Sequence, residues 1–463
     1  MAQRKLITAV VGLCGFLLTV PALASASSLS TTTLITPGLA GAGANGRFTN
    51  GNSHTLSQDG RITVFSTQAG NIVANDTNDV GDVFSYDRIT QKTELISRAA
   101  GNQPANGESM YPSVSADGRF VAYLSSATNI LPGVSSNCPS PNQCGMVLVY
   151  DRTTHQHIVA SRANDGSVLP SYHYDSPVIS GDGKTVAFAT RIPTPSGVTE
   201  NIFARNIQTN TTLPVSADNT GKLLRTFGGE PSISMDGRLV TFTTAEAGVA
   251  NDTNGINDVY LRDTTLGTTK LVSAKVGGST SGNSSSSGGV ISSNGAFVAF
   301  HSFSSDLVAN DTTGYRDVFL RNLDTNSTQR ISVANSGTQG NFGSYDPDIS
   351  DNGRFIVYTS EANNIVRADT NSRQDILLYD RFAGITRRVN VGSGDGQQAN
   401  HASDLGVISG DGKAVVFRSR ADNLTVTTSP LTSTNLFQIY NPVVEIPYYD
   451  PSSIIDLFST AKS

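Results

Sequence analysis

The stretch Ser115-Ala-Asp-Gly-Arg-Phe-Val-Ala-Tyr123 decides the fold of this chain. A Ser-x-Asp-Gly signature is followed at once by alternating apolar residues, the pattern of a tight turn that leads into a half-buried strand. Glycine tolerates a positive φ, and an aspartate in a turn can bond to its own backbone. The stretch therefore predicts a β-hairpin that turns at Asp117 and Gly118.

The same signature, with Asp or Asn at its third position, recurs seven times. The copies are Ser57–Gly60, Ser115–Gly118, Ser180–Gly183, Ser234–Gly237, Ser292–Gly295, Ser350–Gly353 and Ser409–Gly412. Their spacings are 58, 65, 54, 58, 58 and 59 residues. Self-similarity at a fixed period indicates repeated structural units, so we expect seven equivalent units rather than unrelated domains.

Each repeat contains four strand-like runs, which we name A to D in chain order. In the fourth repeat they include Pro231–Ser234, Leu239–Phe242, Val259-Tyr260 and Leu271–Ser273. Four short antiparallel strands per repeat form one blade of a β-propeller. The predicted fold class is therefore all-β, a seven-bladed β-propeller. The 44 glycines and the charged fraction of only 15% fit many short strands joined by polar turns.

The ring needs a strand from the N-terminus to close it. The seventh repeat loses the pattern after Leu436–Tyr440 and lacks a strand D. The segment Thr33-Leu34-Ile35-Thr36 matches the strand D pattern. We therefore expect this N-terminal strand to complete the last blade, which leaves no open sheet edge.

Two segments are predicted to lie outside the propeller. Arg4 and Lys5 precede an apolar run over Ile7–Val20 and the small residues of Ala22-Leu23-Ala24, as in a secretory signal peptide. A membrane anchor is the alternative, but the run is short for a spanning helix. The predicted boundaries are a signal peptide over 1–24, a linker over 25–31, the propeller over 32–441 and a C-terminal tail over 442–463. We expect export to the periplasm or the medium.

Charge and cysteine content narrow the partners. Without Arg4 and Lys5 the chain has 30 basic and 38 acidic residues, a net charge of −8, and no basic patch, so nucleic acid is not an expected partner. Cys138 and Cys144, the cysteines outside the signal peptide, predict a disulfide in an exported protein, with two free thiols as the alternative. We expect a monomer whose partner is a protein, a peptide or a glycan.

The repeat resembles a known family. Its three parts are shown by Ser234–Phe242, Asp258–Tyr260 and Thr268–Ser273, which read S-x-D-G-[RK]-x-[VI]-x-[FY], D-[VI]-[FY] and T-x-x-[LI]-[VI]-S. They are similar to the TolB-like, WD40-like propeller repeats of bacterial exported proteins over residues 32–441. The resemblance implies a propeller fold, and it covers scaffolds, partner-binding propellers and domains attached to enzymes. The chain shows no separate N-terminal domain of the TolB kind.

The loops between strands B and C hold one candidate metal motif, with an aspartate, a polar residue at +2 and a second aspartate at +6. Its members are Asp76, Asn78, Asp82, Asp252, Asn254, Asp258, Asp311, Asp317, Asp369, Asn371 and Asp375. Carboxylate and amide oxygens could bind Ca²⁺, which would make the chain a calcium-stiffened surface protein. The alternative is an Asx-turn that shapes the loop. Blades 2, 3 and 7 lack the motif.

The residues just before strand A are a candidate ligand site, because strand A is innermost in a propeller. Their identities vary between blades while the surrounding frame repeats, as expected of a surface shaped by a ligand. The candidates are His54, Tyr111, His173, Asp175, Glu230, Tyr345, Asp346, His401 and Asp404. Ordinary loop variation is the alternative.

These patterns favour a non-catalytic binding or scaffold module. The chain has no motif of a zinc metalloprotease, a serine hydrolase or a P-loop NTPase. The enzyme alternative is a metal-dependent polysaccharide lyase or hydrolase, in which His54, His173 and His401 would converge on the channel mouth and hold the metal.

Overall fold

The computed structural model describes most of the repeat region. The described residues are 32–36, 38, 43–48, 54–74, 76–134, 144–172, 176–194, 197–226, 230–393, 396–425 and 434–440. The predicted signal peptide, linker and C-terminal tail, and also Cys138, lie outside them, so these boundaries and the disulfide stay predictions. Among the described residues, no helix is long and apolar enough to cross a membrane.

Seven antiparallel sheets follow one another along the chain, one for each repeat. The A strands are β5 (Ser109–Val114), β10 (Val178–Ile179), β14 (Ser232–Ile233), β18 (Ser286–Ile291), β22 (Ser344–Ile349) and β26 (Ser403–Ile408). The B strands are β2 (Ile62–Thr67), β6 (Phe120–Ser125), β11 (Thr185–Thr194), β15 (Leu239–Thr244), β19 (Phe297–Ser302), β23 (Phe355–Ser360) and β27 (Ala414–Ser419). In blade 1 a single bridge between Leu56 and Thr63 stands in place of strand A.

The outer strands complete each blade. The C strands are β3 (Asp82–Asp87), β7 (Cys144–Asp151), β12 (Gly197–Asn206), β16 (Asp258–Asp263), β20 (Asp317–Asn322), β24 (Asp375–Asp380) and β28 (Asn435–Tyr440). The D strands are β4 (Lys92–Leu95), β8 (Gln156–Val159), β13 (Thr211–Pro214), β17 (Thr268–Leu271), β21 (Ser327–Arg330), β25 (Ile385–Arg388) and, in the last blade, β1 (Thr33–Leu34). A short strand β9 (Ser171–Tyr172) pairs with β7, and one 3₁₀ turn spans Ala100–Asn102. The predicted seven-bladed β-propeller is confirmed.

The signature builds each A–B turn as predicted. In blade 1 the Ser57 hydroxyl donates to Asp59 (2.7 Å) and accepts the Ile62 amide (2.9 Å), while Gly60 has a φ of 64°. The signature glycine also packs closely on the preceding blade. At Gly353 a Cβ atom would lie 2.3 Å from the Phe297 ring, so this position requires glycine for space as well as for φ.

Neighbouring signature turns are joined by seven backbone hydrogen bonds of 2.9–3.1 Å, which form a closed ring that we name the turn ring. Its bonds run from Gln58 N to Ala116 O, Ala116 N to Gly181 O, Asp182 N to Met235 O, Met235 N to Ser293 O, Asn294 N to Asp351 O, Asp351 N to Gly410 O and Asp411 N to Gln58 O. The turn ring surrounds one end of the central channel, and we call this the narrow end.

The predicted closure is confirmed, and the predicted end of strand D is wrong. Thr33 pairs with Gln438 and Leu34 with Phe437, so β1 is strand D of blade 7. Sequence patterns place strand D over Leu271–Ser273 in blade 4 and over the matching Leu95–Ser97 in blade 1, but β17 ends at Leu271 and β4 ends at Leu95. In blade 1 the Ser97 side chain, rather than the carbonyl of the opposite residue Ile96, accepts the Val83 amide (3.0 Å), which ends the ladder.

Candidate functional site

Strand A bulges at the channel mouth in four blades. The register of the A–B pairing shifts in blades 2, 5, 6 and 7. The residues four positions before the signature serine there have positive φ values, namely Tyr111 (54°), Gly288 (63°), Asp346 (50°) and Leu405 (52°). A β-bulge re-aims side chains, and three of these four residues, all but Tyr111, line a cavity at the wide end of the channel.

This cavity, which we name the mouth, has a volume of about 220 Å³. Blades 1, 4, 5, 6 and 7 contribute to its lining. Its charged side chains are Glu230, Asp346, Asp348 and Arg418. Backbone and apolar groups fill the rest of the lining, including Gly288, Leu405 and Val407. The mouth is therefore a concave site with a few convergent charged groups, the usual form of a small binding site.

Glu230 is the carboxylate of the mouth that has neither a hydrogen-bond donor nor a cation close by in the described part of the chain. Among the described residues none donates a hydrogen bond to it or forms an ion pair with it. Burial and the nearby Asp346 carboxylate raise the pKa of Glu230 to about 7. Glu230 is itself exposed to the solvent in the cavity, so it is the protein surrounding the site, and not a lack of solvent contact, that reduces the hydration of its carboxylate.

The other acids of the mouth have a hydrogen-bond donor or a cation close by, and Asp348 accepts the Ile408 amide (2.8 Å). Asp404 is not itself a lining residue, but it binds Arg418, which is. Asp404 receives two hydrogen bonds from the Arg418 guanidinium, at 2.6 and 2.7 Å. Burial raises the pKa of Asp346, while the positive charges of Arg316 and Arg418 oppose that rise. Glu230 is thus the group best placed to receive a positive charge from outside the protein.

The narrow end is crossed by side chains. Gln58 donates from Nε2 to Asp351 (2.8 Å), and the Ser293 hydroxyl donates to the other oxygen of Asp351. Between this crossing and the mouth, His54 lies 3.3 Å from the Ser232 hydroxyl. Burial lowers the pKa of His54 to about 4, so its ring is neutral at pH 7. Only about 50 Å³ of space remains in this half of the channel.

Beside the mouth lie four aromatic side chains and one arginine that we name the aromatic patch. Its members are Phe303, Tyr315, Arg316, Phe342 and Tyr345. The exposed fractions of Phe303, Tyr315 and Phe342 are 44%, 43% and 46%. The Arg316 guanidinium lies 5.0 Å from both the Phe303 and the Tyr345 ring centres, and the Tyr315 and Phe342 rings are 5.6 Å apart. Since Tyr345 precedes Asp346, the patch is continuous with the mouth.

The remaining predicted ligand residues are placed as follows. Tyr111 is half-buried and packs against the core between blades 2 and 3. His401 is exposed in the loop before β26, and neither half of the channel includes it among its lining residues. His173 and Asp175 lie outside the described residues. The three-histidine metal site therefore stays a prediction.

The B–C loops use their aspartates to hold the loop. In blade 1, Asp82 accepts hydrogen bonds from Asn78 Nδ2 (2.6 Å) and Ser97 Oγ (2.5 Å). In blade 4, Asp258 accepts the same pair of bonds from Asn254 (2.9 Å) and Ser273 (2.5 Å). These bonds are those expected of a loop-shaping role. The described residues contain no group of three or more His, Cys, Asp or Glu side chains arranged to hold a metal ion. Calcium binding stays a prediction.

Blades 5 and 6 add an arginine to this arrangement. Arg330 lies 3.0 Å from Asp311 and 3.8 Å from Asp317. Arg388 lies 3.6 Å from Asp369 and 2.8 Å from Asp375. In these loops a guanidinium already neutralises the two carboxylates. Asn371 donates instead to the Ala399 carbonyl (2.7 Å).

Sequence reasoning missed Asp348, Arg316 and Arg418. A signal for Arg418 exists, because it stands nine positions after the signature serine, where most blades have Ser, Leu, Ala or Thr. The other exception there is His301, whose ring lies 2.8 Å from the Ser287 hydroxyl. Departures from the repeat at that one position would have pointed to the channel wall.

The comparisons with known proteins concern the fold. No family model and no curated protein matches the chain. The β-propeller domain of the Trilobed protease from Pyrococcus furiosus, described as having an open velcro topology, matches with a TM-score of 0.50 and 10% identity over 86% of this chain and 94% of that one.

Two TolB structures also match. TolB from Acinetobacter baumannii gives a TM-score of 0.39 and 14% identity over 69% of this chain and 61% of its own. A putative TolB from Agrobacterium tumefaciens gives 0.40 and 16% over 77% and 96%. At these identities the likeness extends to the fold and no further. The chain is a seven-bladed β-propeller.

Proposed function

We propose that this protein is an exported, non-catalytic binding module whose mouth receives a positively charged group of a protein or peptide ligand. The observation that carries the proposal is Glu230, a poorly hydrated carboxylate without a cationic partner among the described residues. A lysine or arginine side chain, or a chain terminus, would supply the missing charge. The mouth is too small for a folded domain, so an extended segment of the ligand would enter it.

The aromatic patch supports a polypeptide ligand. Aromatic residues and arginine are enriched at protein interfaces, and exposed aromatic clusters on a monomer mark interaction sites. A segment with its cation at Glu230 would extend past Asp346 and lie over Phe342 and Tyr315. Apolar side chains of the ligand would then bury these rings.

The two alternatives to this function receive different support. A carbohydrate ligand could also stack on the aromatic patch, and we make it an outcome of the test. For the lyase or hydrolase, the described residues offer no favourable observation, because His54 is neutral and bonded to Ser232 inside the channel while His401 is exposed outside it.

Selection from a phage-displayed library of random peptides tests the proposal, with residues 25–463 as the target. We expect the selected peptides to be enriched in Lys or Arg next to apolar residues. The best synthetic peptide is then titrated by calorimetry into the wild type, Glu230→Gln and Asp324→Asn, an exposed acid outside the mouth. Loss of a desolvated charge partner should weaken binding at least about tenfold for Glu230→Gln and leave Asp324→Asn unchanged.

The pH dependence adds a second readout. A cationic ligand binds the ionised carboxylate, so its affinity should rise between pH 6 and pH 8 as Glu230 ionises. Selected peptides without basic residues, or binding that is indifferent to Glu230→Gln, would overturn the proposal. If members of an oligosaccharide panel bind and their affinity also depends on Glu230, the ligand is a glycan rather than a peptide.

The aromatic patch can be tested with a matched control on the same blade. Phe342→Ala should weaken binding of the selected peptide, because interface aromatics of this kind contribute about 1 kcal/mol or more to the binding free energy. Phe382→Ala removes another exposed ring, with an exposed fraction of 55%, from the C–D turn at the opposite face, and should have no effect. Equal effects of the two substitutions on affinity would show that the aromatic patch does not contact the peptide.

Export is tested separately on the full-length chain. Expression in a bacterial host, cell fractionation and N-terminal sequencing should find a mature protein that begins after Ala24, outside the cytoplasm. An uncleaved cytoplasmic product would contradict this part of the proposal.

A further inference from the structure

The first aspartate of the B–C loop motif has different neighbours in blade 1 than in blades 4, 5 and 6. In those blades a side chain from elsewhere in the chain donates to it or pairs with it. These contacts are Tyr260 hydroxyl to Asp252, Arg330 to Asp311 at 3.0 Å, and Gln398 to Asp369 at 2.9 Å with Arg388 at 3.6 Å. For Asp76 in blade 1, the donor found among the described residues is the backbone amide of Asn78.

The sequence explains this difference. Phe84 stands in strand C of blade 1 where blade 4 has Tyr260, and a phenyl ring has no hydroxyl to donate. Leu95 stands in strand D where blades 5 and 6 have Arg330 and Arg388. Blade 1 has thus kept the two aspartates of the motif without either kind of donor.

The two carboxylates of blade 1 are buried together. The exposed fraction of Asp76 is 7%, and Asp82 is fully buried. Asn78 links the two carboxylates, because its backbone amide donates to Asp76 and its Nδ2 donates to Asp82 (2.6 Å). Two buried carboxylates that lack a counterion are costly, so the site favours an added positive charge.

A hydroxyl from the next blade also faces this site without a partner. The side chain of Tyr123 in β6 is fully buried, and its hydroxyl makes no hydrogen bond among the described residues. It lies close enough to Asp82 for that carboxylate to raise the pKa of the phenol further. An unpaired buried hydroxyl beside the Asp82 carboxylate is a candidate oxygen ligand for a cation.

We propose that Asp76 and Asp82 of blade 1 bind a Ca²⁺ ion, with the neutral Tyr123 hydroxyl as a further oxygen donor. Calcium prefers carboxylate and other oxygen ligands in flexible arrangements and takes the rest from loop carbonyls and solvent. Asn78 fixes Asp82 through its Nδ2 and so positions the second carboxylate. In blades 5 and 6 the guanidinium of Arg330 or Arg388 contacts the equivalent pair of carboxylates, where the ion would lie in blade 1. The site is separate from the mouth and independent of its ligand.

The test is a calorimetric titration of Ca²⁺ alone into chelator-treated protein, residues 25–463, with stoichiometry checked by equilibrium dialysis. We expect one ion per chain and a higher melting temperature in Ca²⁺ than in EDTA, since a ligand of the folded state stabilises it. Asp76→Asn should weaken binding by about tenfold to a hundredfold. The same change in blade 4, Asp252→Asn, is the matched control and should leave the affinity unchanged.

Two further substitutions supply the missing donors. Leu95→Arg introduces the guanidinium of blades 5 and 6 and should abolish binding, whereas Leu271→Arg, at the same repeat position in blade 4, should not. If Leu95→Arg fails to fold, Phe84→Tyr takes its place in the test. This change adds only the hydroxyl of Tyr260 and should weaken Ca²⁺ binding by about tenfold. Absence of Ca²⁺ binding by the wild type, or binding indifferent to Asp76→Asn, would overturn the proposal. Glu230→Gln should leave Ca²⁺ affinity unchanged, which separates this site from the mouth.

Discussion

Leu436, in the last strand of the last blade, donates its amide hydrogen to the hydroxyl of Thr36 (3.2 Å), which lies 400 residues earlier in the chain. Other blades make the equivalent bond locally, with Val83 donating to Ser97 and Val318 to Ser332. The seam between the two ends of the propeller therefore uses the same side-chain bond as the repeat itself. The N-terminal segment is a structural part of blade 7.

Replacing Thr36 by valine should destabilise the propeller. The change keeps the shape of the side chain but leaves the buried Leu436 amide without an acceptor, which costs about 1–3 kcal/mol. Denaturant unfolding of both proteins measures the difference. Thr325→Val, at an exposed C–D turn, is the control and should stay within about 0.5 kcal/mol of the wild type. Equal stabilities of the two variants would mean that the seam bond contributes nothing.

The signature glycines should be more sensitive than other turn glycines with the same backbone. Gly353 has a φ of 70° and a neighbouring ring at 2.3 Å from a built Cβ, whereas Gly384 has a φ of 66° and open space. Both Ala variants carry the strain of a positive φ, about 1 kcal/mol. Only Gly353→Ala adds a clash with Phe297, for roughly 1–3 kcal/mol more. If thermal unfolding gives the two variants the same stability, close packing is not the reason for glycine at position 353.

Arg330 should stabilise the protein far more than a surface arginine does. Arg330→Leu leaves Asp311 and Asp317 buried without a counterion, which costs about 3–5 kcal/mol. Arg119, whose side chain is 42% exposed, pairs with Asp151 at 2.7 Å, and Arg119→Leu should cost no more than about 1 kcal/mol. Unfolding in urea at pH 8 compares them. Adding Asp311→Asn to Arg330→Leu should recover part of the loss, and its failure to do so would argue against the buried charge as the cause.

The repeat allowed most of the fold to be predicted, because the same side-chain bonds build every blade. Ser57 and its six counterparts hold the turn by contacts within five residues, which a sequence pattern can record. The D-strand boundary at Leu95 could not be predicted, since it depends on Ser97 replacing a backbone acceptor. Likewise, the closed turn ring follows from the spacing of whole blades rather than from any local motif.

The candidate site was predictable only in part. Glu230 and Asp346 were placed at the channel mouth from their position before strand A. That Asp346 raises the pKa of Glu230 depends on an approach between blades 4 and 6 past blade 5, which has Gly288 at the same repeat position. A periodic pattern carries no information on such a pair. Arg418, the partner of Asp404 in strand B, could have been noticed as a departure from the repeat, whereas Arg316 lies in a B–C loop where the repeat gave no reason to look.

The raised pKa of Glu230 should make the stability of the protein depend on pH in a defined direction. A glutamate in the unfolded chain ionises near pH 4.5, while burial and Asp346 keep Glu230 protonated in the fold up to about pH 7. The folded state thus binds the proton more tightly, so this group's stabilisation is complete below pH 4.5 and is lost as pH rises through 7. Glutamine cannot ionise. Glu230→Gln should therefore melt like the wild type at pH 4 and at a higher temperature than the wild type at pH 8.

Asp87 provides the opposite case within the same chain. A side-chain hydrogen bond from Arg61 lowers the pKa of Asp87 to about 2, so its stabilisation is present above pH 4 and is lost as pH falls toward 2. Asp87→Asn should lower the melting temperature at pH 8, with the difference from the wild type shrinking in acid. Melting curves of both variants from pH 2 to pH 8 give trends of opposite sign, with the change for Asp87→Asn below pH 4 and the change for Glu230→Gln above it. A difference for Glu230→Gln that does not change with pH would mean that Glu230 ionises as in the unfolded chain, and the mouth would then lack the poorly hydrated carboxylate on which cation binding depends.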